Sequence, residues 1–416
     1  MRDLATRLPS SPSFWRSPLR GPWFTSVLGL VLLVGVSVLF VTGLLSYAAY
    51  NPDLSPVNDK TPDKGLLGFY LFAWPTDPPW LYRLTQGVHV TLGLTLIPVL
   101  LAKLWSVVPR LFTLPPARSV AHALERLSLL LLVGGALFEF VTGVLNVQLE
   151  YVFPGSFYPL HFYGAWVFFA AFLAHVALKA PAAVRNVRQM RAGGGEEPDS
   201  LVASRPDAPT VSRRGALWAV GGGSLVLFAT SAGRSFDGAV RATAVLAPHG
   251  GAEPGGGPNG FQINKTAAYA GIDPAETHED AWRLVVVGPT KTVRLGRADL
   301  LRLPLHSAAL PIACVEGWST SDQWWRGVRL RDLAALVGFD GDSPDVLVES
   351  LQRRGAFRSG ALRGNQVADP RSLLALYVNG ETLSPDHGYP ARIIVPAAPG
   401  VLNTKWVARM TFGDLG

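Results

Sequence analysis

The stretch IACVEGWSTSDQWW, residues 312–325, holds the one cysteine of a 416-residue chain together with three of its tryptophans. A single thiol has no partner for an internal disulfide, so Cys314 is not a covalent staple. It is either a buried core thiol or a ligand or nucleophile, and spacing alone leaves the two open. Outward from it, residues 235–416 hold most of the acidic side chains and run as short alternating apolar stretches broken by Pro and Gly, the pattern of strands. Residues 1–185 carry long apolar runs instead. A mean hydropathy of +0.25 with 16% charged residues is therefore an average over two unlike halves, one built for lipid and one for water.

The net charge of +7 does not point to nucleic acid, because of where the basic residues stand. Arg2, Arg7, Arg16 and Arg20 precede the first apolar run, and Lys103, Arg110, Arg118 and Arg126 lie between the second and third. Lys179, Arg185, Arg188, Arg191, Arg205, Arg213 and Arg214 follow the fourth. The alternate loops are poor in them: Lys60, Lys64 and Arg83 stand against four Asp in residues 51–84, and residues 146–158 have none. This is the positive-inside pattern, and the charge reports topology.

Runs near 23–48, 85–108, 124–147, 159–180 and 215–232 are each long enough to cross a bilayer core of ~30 Å as a helix. The first is too long, and is followed by too many others, to be a cleavable signal peptide. With the N-terminus inside, the fifth span places residues 235–416 outside, so the expected location is the plasma membrane with an extracytoplasmic C-terminal domain. The fifth span opens SRRGALWAVGGGSLVLFATSAG (212–233). Its paired Arg213 and Arg214 are either a topology anchor or the start of a twin-arginine export signal, which would carry a domain already folded around a cofactor.

His89, His122, His161 and His175 are the only histidines of the four-span part, and all lie in or at the mouths of spans, where ionisable groups default to function. His161 and His175 are 14 residues apart, about 21 Å along one helix face. By depth, His89 and His161 form an outer pair and His122 and His175 an inner pair, each suited to axial ligation of a b-type haem. Zinc would need two further ligands at the same depth. Four unrelated interfacial histidines are the alternative. LFVTGLLSY (39–47) and LFEFVTGVLNV (137–147) repeat a Thr-Gly at the outer end of spans one and three. Each is followed by a span whose outer end carries one of these histidines. Residues 20–185 resemble the four-helix di-haem cytochrome b subunits of membrane formate dehydrogenases and hydrogenases, which implies one or two b haems and exchange with quinone. Lys103 departs from that pattern, standing where a second histidine on span two would complete the inner site.

Beyond a flexible tether, PHGGAEPGGGPNG (248–260), come WRLVVVG, TKTVRL, RADLLRLP, the cysteine segment, GVRLRDLAALVG, DVLVESLQ, LLALYVNGETL and ARIIVPA. Strands and short helices mix without the regular alternation of a doubly wound sheet, which gives an α+β fold. Here IACVEGW, WWRGVRLRDLAALVG, ALYVNGETLSPDHGYPARIIVP and GVLNTKW resemble the sulfite oxidase fold over about residues 260–416, the molybdopterin-binding domain shared with the bacterial periplasmic methionine sulfoxide reductase catalytic subunit. The resemblance implies that Cys314 is the thiolate ligand of molybdenum and the catalytic residue. It implies further that Asn264 lies close to the metal, that Ser350 offers a hydroxyl contact, and that His387, Arg392, Asn403, Thr404 and Lys405 contact the pterin and its phosphate. Sulfite oxidases follow the cysteine with an arginine-containing run, absent from CVEGWS, whereas His387 and the Lys405-Trp406 pair look more like the sulfite oxidase branch.

The chain is thus expected to comprise a cytoplasmic segment (1–22), a four-span all-α haem bundle (23–185), a cytoplasmic linker (186–214), an anchor helix (215–234), a tether (235–260) and an α+β molybdopterin domain (261–416). The function expected is a membrane oxidoreductase linking quinone, b haem and a molybdenum site that transfers an oxygen atom, reducing an S-oxide or N-oxide held free or on a protein. The alternatives are sulfite-type oxidation feeding quinone and an electron carrier serving a partner redox protein.

Overall fold

The computed structural model describes residues 9, 11, 14–59, 61–62, 72–112, 119–147, 157–191, 207–236, 238–247, 255–341 and 343–415. Arg2, Arg7, Lys60, Lys64, Arg118, Arg205 and the first half of the tether lie outside these residues. The chain forms two compact units, the first of residues 1–41, 91–144 and 160–229, the second of 42–90, 145–159 and 230–416.

Five helices are long and apolar enough to cross a membrane: α1 (Pro22–Ala49), α2 (Leu81–Val107), α3 (Val120–Asn146), α4 (Tyr158–Arg191) and α5 (Arg213–Ala232). Each covers one of the expected spans. α4 runs past both the expected end of span four and the boundary at 185, because the turns after Pro181 stay helical with Arg185 and Arg188 on them. In the first unit Phe24, Leu28, Leu32 and Val36 of α1 pack with Leu96, Val99 and Leu100 of α2 and with Phe168 and Phe172 of α4. Gly35 lets the helices meet, since any Cβ there would strike the Leu96 side chain.

The second unit carries the α+β region the sequence implies. Its first sheet has the order β2-β1-β10-β5-β6, with β1 (Leu284–Val287), β2 (Thr292–Leu295), β5 (Asp345–Ser350), β6 (Ser359–Leu362) and β10 (Val407–Gly413). Only β1 and β10 pair parallel in it. The second sheet has the order β3-β4-β7-β8, with β3 (His306–Leu310), β4 (Gln323–Arg329), β7 (Leu373–Val378) and β8 (Glu381–Thr382), and β9 (Arg392–Ile394) also pairs β7. β7, LLALYV, is buried on both faces. Leu374 and Leu376 join the main core with Val286, Val348 and Met410, while Leu373 and Ala375 join a second core with Leu310, Trp325, Trp318 and Cys314.

The segment joining α1 to α2 is fastened to this domain. Asn51 Nδ2 donates to Gln366 Oε1 at 2.8 Å and to the Ala361 carbonyl at 3.1 Å, and Asn58 Oδ1 accepts from the Ala361 N–H at 2.6 Å. Trp74 Nε1 donates to the Ala397 carbonyl at 2.7 Å. Asp53 pairs with Arg363 and Asp77 with Arg371. Tyr50, Trp74 and Tyr82 pack on Ala313, so this segment and its flanking helix ends cover the residue next to the cysteine.

Candidate active site

The cysteine stands on a closed hairpin. Ile312 and Thr320 exchange hydrogen bonds, Cys314 N–H donates to the Trp318 carbonyl at 2.9 Å, and Gly317 N–H returns to the Cys314 carbonyl at 3.0 Å. Gly317 turns the chain at φ +85°, a conformation open to glycine at no steric cost. The hairpin is then joined to GVLNTKW: Ala313 bridges Pro399, and the Gly400 N–H donates to the Ala313 carbonyl at 2.7 Å. A Cβ on Gly400 would lie 3.1 Å from that oxygen and 3.6 Å from Cys314 Cα, so any larger residue would press on the hairpin backbone.

Cys314 is 2% exposed. Its thiol donates to Glu316 Oε2 at 3.2 Å, and Trp318 Nε1 donates to the same oxygen at 2.6 Å. Burial, then the Glu316 charge, pushes the thiol well above its usual range, and burial raises the Glu316 carboxyl too. Around the pair are cations. Lys405 Nζ donates to Asn264 Oδ1 at 3.2 Å and to the carbonyls of Lys265 and Asp386 at 2.6 and 2.9 Å. Burial, then Arg392 and Lys265, holds the Lys405 ammonium well below its usual range. Burial alone lowers Arg392 to about 9, and leads the causes that lower Lys265 to about 8.

Arg392 donates to the carbonyls of His387 and Asn403 at 3.2 and 3.3 Å and lies 5.2 Å over the Trp325 ring. Asn403 Oδ1 accepts from the Val395 N–H at 2.9 Å. Ser350 Oγ donates to the Lys405 carbonyl at 2.7 Å and so shapes the NTK turn from behind. His387 stacks on Phe261 with ring centres 3.8 Å apart and bonds the Asn259 carbonyl through Nε2 at 2.9 Å. Burial first, then Arg392 and Lys405, lowers it to about 3, so it is neutral and Nε2–H is the donor.

Six of the eight residues named from the resemblance therefore form one connected set, Asn264, Ser350, His387, Arg392, Asn403 and Lys405. Cys314 and Thr404 sit against it through the hairpin and the same turn. Lys265 and Glu316 belong to the site and were not read from the sequence. Glu316 lay in view two residues after the cysteine, and Lys265 directly after Asn264. The set fits an anionic molybdopterin. Its cations, buried Arg392 and half-buried Lys265 and Lys405, are met chiefly by neutral carbonyls, and Arg392 Nε and Thr404 Oγ1 are buried with no hydrogen-bond partner among the described residues. A phosphate and a dithiolene would supply the missing negative charge and acceptors.

Residues 270–415 match the model of the oxidoreductase molybdopterin binding domain. They form a molybdopterin-binding oxidoreductase domain. An uncharacterized oxidoreductase of Bacillus subtilis (strain 168) is 30% identical over 132 residues, 32% of this chain and 65% of that one. The mitochondrial sulfite oxidase of Rattus norvegicus is 30% identical over 158 residues, 32% of this chain and 29% of that one. The NAD(P)H nitrate reductase of Hordeum vulgare is 40% identical over 94 residues, 21% and 10% of the two chains. Among solved structures, the sulfane dehydrogenase SoxCD from Paracoccus pantotrophus aligns with a TM-score of 0.30 at 25% identity, covering 34% of this chain and 40% of that one. The chain thus spans less than two thirds of each relative's length.

The four helix histidines are placed individually. His89 Nδ1 lies 3.0 Å from Thr42 Oγ1, and His161 Nδ1 lies 3.0 Å from Thr142 Oγ1 and 3.1 Å from Glu139 Oε2. Gly43 gives the His89 ring room, since a Cβ there would stand a tight 3.2 Å from its Cε1, while a Cβ on Gly143 would make an ordinary 3.4 Å contact with His161 Cε1. The Thr-Gly echo is therefore one device used twice, a hydroxyl that orients an imidazole beside a glycine. His122 and His175 are half-buried on α3 and α4. Lys103 Nζ donates to the Thr25 carbonyl of α1 at 2.7 Å.

Proposed function

We propose that the chain is a membrane-bound molybdenum oxidoreductase that passes electrons from the quinone pool through b haem to an extracytoplasmic molybdopterin site, where an S-oxide or N-oxide is reduced. The observation that carries the reading is the anion-deficient cation set of buried Arg392 and half-buried Lys265 and Lys405 beside Cys314, met chiefly by neutral carbonyls. When bound, molybdopterin supplies two-electron oxygen-atom transfer, with Cys314 as thiolate ligand to the metal. The chain's own residues do the rest. Lys405, Lys265 and Arg392 neutralise the cofactor's charge. Asn403 and Ser350 fix the NTK turn, and neutral His387 holds the turn at 259–261 against it. The overall reaction balances as two electrons and two protons leaving quinol while an S–O bond breaks to give sulfide and water.

The absence of an arginine from CVEGWS, with Tyr50, Trp74 and Tyr82 packed on Ala313, supports a neutral oxide over anionic sulfite. Sulfite-type oxidation feeding quinone is the second reading, supported by His387 and the Lys405-Trp406 pair. The fastening of the α1–α2 segment onto the domain supports electron exchange within the chain over an electron carrier docking a partner redox protein. His89 and His161 are the proposed ligands of an outer haem, and His122 and His175 of an inner one, because imidazoles oriented through Nδ1, as His89 and His161 are, suit iron at Nε2. The test is turnover of candidate S-oxides, N-oxides and sulfite by the purified full chain, with reduced or oxidised quinone analogue, together with the visible spectrum of His161→Ala. Unchanged turnover in Cys314→Ala would sink the molybdenum assignment, and an unchanged spectrum in His161→Ala the haem assignment.

A further inference from the structure

We propose that a groove between α3 and α4 is the binding site for the ring of a membrane quinol, with the Glu139 carboxyl as its polar partner; this rests on the quinone-linked reading above and gives that reading a place. The groove, about 320 Å³, is lined by Leu130, Leu131, Gly134, Gly135, Gly164 and Val167 with Phe138. That is at the lower end of the ~300–1,000 Å³ of small-molecule sites. Leu130, Phe138 and Val167 are exposed on the rim, so the groove opens on the side of the bundle that an apolar solvent would wet. Its floor is flat because three of its residues have no side chain. A Cβ on Gly134 would meet nothing within 4 Å, whereas one on Gly135 would press on Phe168 at 3.0 Å.

An apolar groove in a helix pair needs no ligand by itself, since an acyl chain fills it. Glu139 is what asks for a ligand with a polar group. It is only 7% exposed, seven residues before the end of α3 in an apolar stretch. One carboxyl oxygen, Oε2, is engaged by His161 Nδ1 at 3.1 Å. The other, Oε1, is buried with no hydrogen-bond partner among the described residues. It lies against the groove floor: a Cβ on Gly164 would collide with Oε1 and with the Phe138 ring. A buried carboxylate oxygen left unpaired is costly. A flat ring carrying a hydroxyl donor relieves it, and a quinol has both a face for the glycine floor and an O–H for Oε1. The same carboxyl would then touch the quinol and the ring of His161.

The probe is a fluorescent 2-alkyl-4-hydroxyquinoline N-oxide, a quinol analogue, titrated into the detergent-purified full chain. Gly134→Leu grows a side chain into open space, so it fills the groove without moving a neighbour. It is expected to weaken binding by about tenfold or more, and Glu139→Ala by about tenfold through the lost hydrogen bond. Val34→Leu, on an exposed face of α1, is the control and keeps wild-type affinity. Wild-type affinity in a correctly sized, soluble Gly134→Leu protein overturns the site. Weakening by Gly134→Leu but not by Glu139→Ala means the groove takes an alkyl tail and not the ring, which overturns the role of Glu139. If the wild-type chain turns over with reduced viologen but not with quinol, the quinone-linked reading itself fails. Quinol turnover with unaffected probe binding in Gly134→Leu removes only this location.

Discussion

Cys314 has its physical setting explained by Glu316, a neighbour that spacing did not single out. A thiol this buried and beside Glu316 stays protonated by itself, so its presence as a thiolate depends on a cation taking the proton's place. Cys314→Ser keeps the volume and offers a harder ligand. We expect the domain to fold while S-oxide turnover drops by at least about 100-fold, beyond the ~10–100-fold of outer-sphere changes at metal sites. Wild-type turnover in Cys314→Ser, alongside molybdenum near one per chain, would contradict the ligand role. His387 makes a separate prediction about pH. Its folded value is about 3, below the ordinary 6.5, so the unfolded chain takes up a proton first as pH falls. The stabilisation from keeping this ring neutral is whole above pH ~6.5 and fades as pH drops toward 3, by at most about 1.4 kcal/mol per unit. His387→Gln should flatten the fall in the domain's thermal midpoint between pH 7 and 4, read by tryptophan fluorescence. An equally steep fall in both proteins would show that other groups carry the acid sensitivity.

At the scale of elements, the α1–α2 segment is a clamp whose contacts differ greatly in weight. Asn51 is buried, serves two acceptors and sits at φ +52°, where Asn is better tolerated than most residues. Asn51→Ala leaves Gln366 and Ala361 short of a donor and adds backbone strain, for an expected cost of about 2–3 kcal/mol. Asp77 pairs with Arg371 at 2.8 Å but is largely exposed, so Asp77→Asn should cost under about 1 kcal/mol. Limited proteolysis of the segment and the thermal midpoint would separate them, and equal effects would mean the clamp is held by Trp74 and Tyr82 packing instead. The sequence showed this segment only as a loop poor in Lys and Arg, because Asp and Asn in loops are usually solvated and nothing local says what they face. The five helices were legible since 20 apolar residues need no context. β3, β6 and β10 were not, because SGAL or HSAAL becomes a strand only through its neighbours.

For the whole molecule, what was legible was the lone Cys314 and the short motifs of the resemblance around it. What joins them was not legible, since Ala313 meeting Pro399 is a contact between residues some 86 positions apart in the chain. Lys265 and Glu316 were missed for the same reason: a charge matters by what it is buried against. On the proposed topology, the cations of the molybdopterin domain bear on how that domain would leave the cytoplasm. If the proposed site holds the cofactor through buried Arg392 and half-buried Lys405, the cofactor enters before the chain closes over Arg392, which favours folding before export. α5 begins at Arg213 with its Gly215 N–H capped by Ser212 Oγ at 3.0 Å, so the arginine pair stands at the helix start. Replacing Arg213 and Arg214 together by Lys keeps both charges. A plain topology anchor would still place residues 235–416 outside. A twin-arginine route would not, because it recognises the arginines themselves. We expect the double variant to lose protease accessibility of the C-terminal domain in intact cells and to keep the helices in the membrane. Undiminished accessibility in that variant would mean the domain crosses unfolded and acquires its cofactor outside.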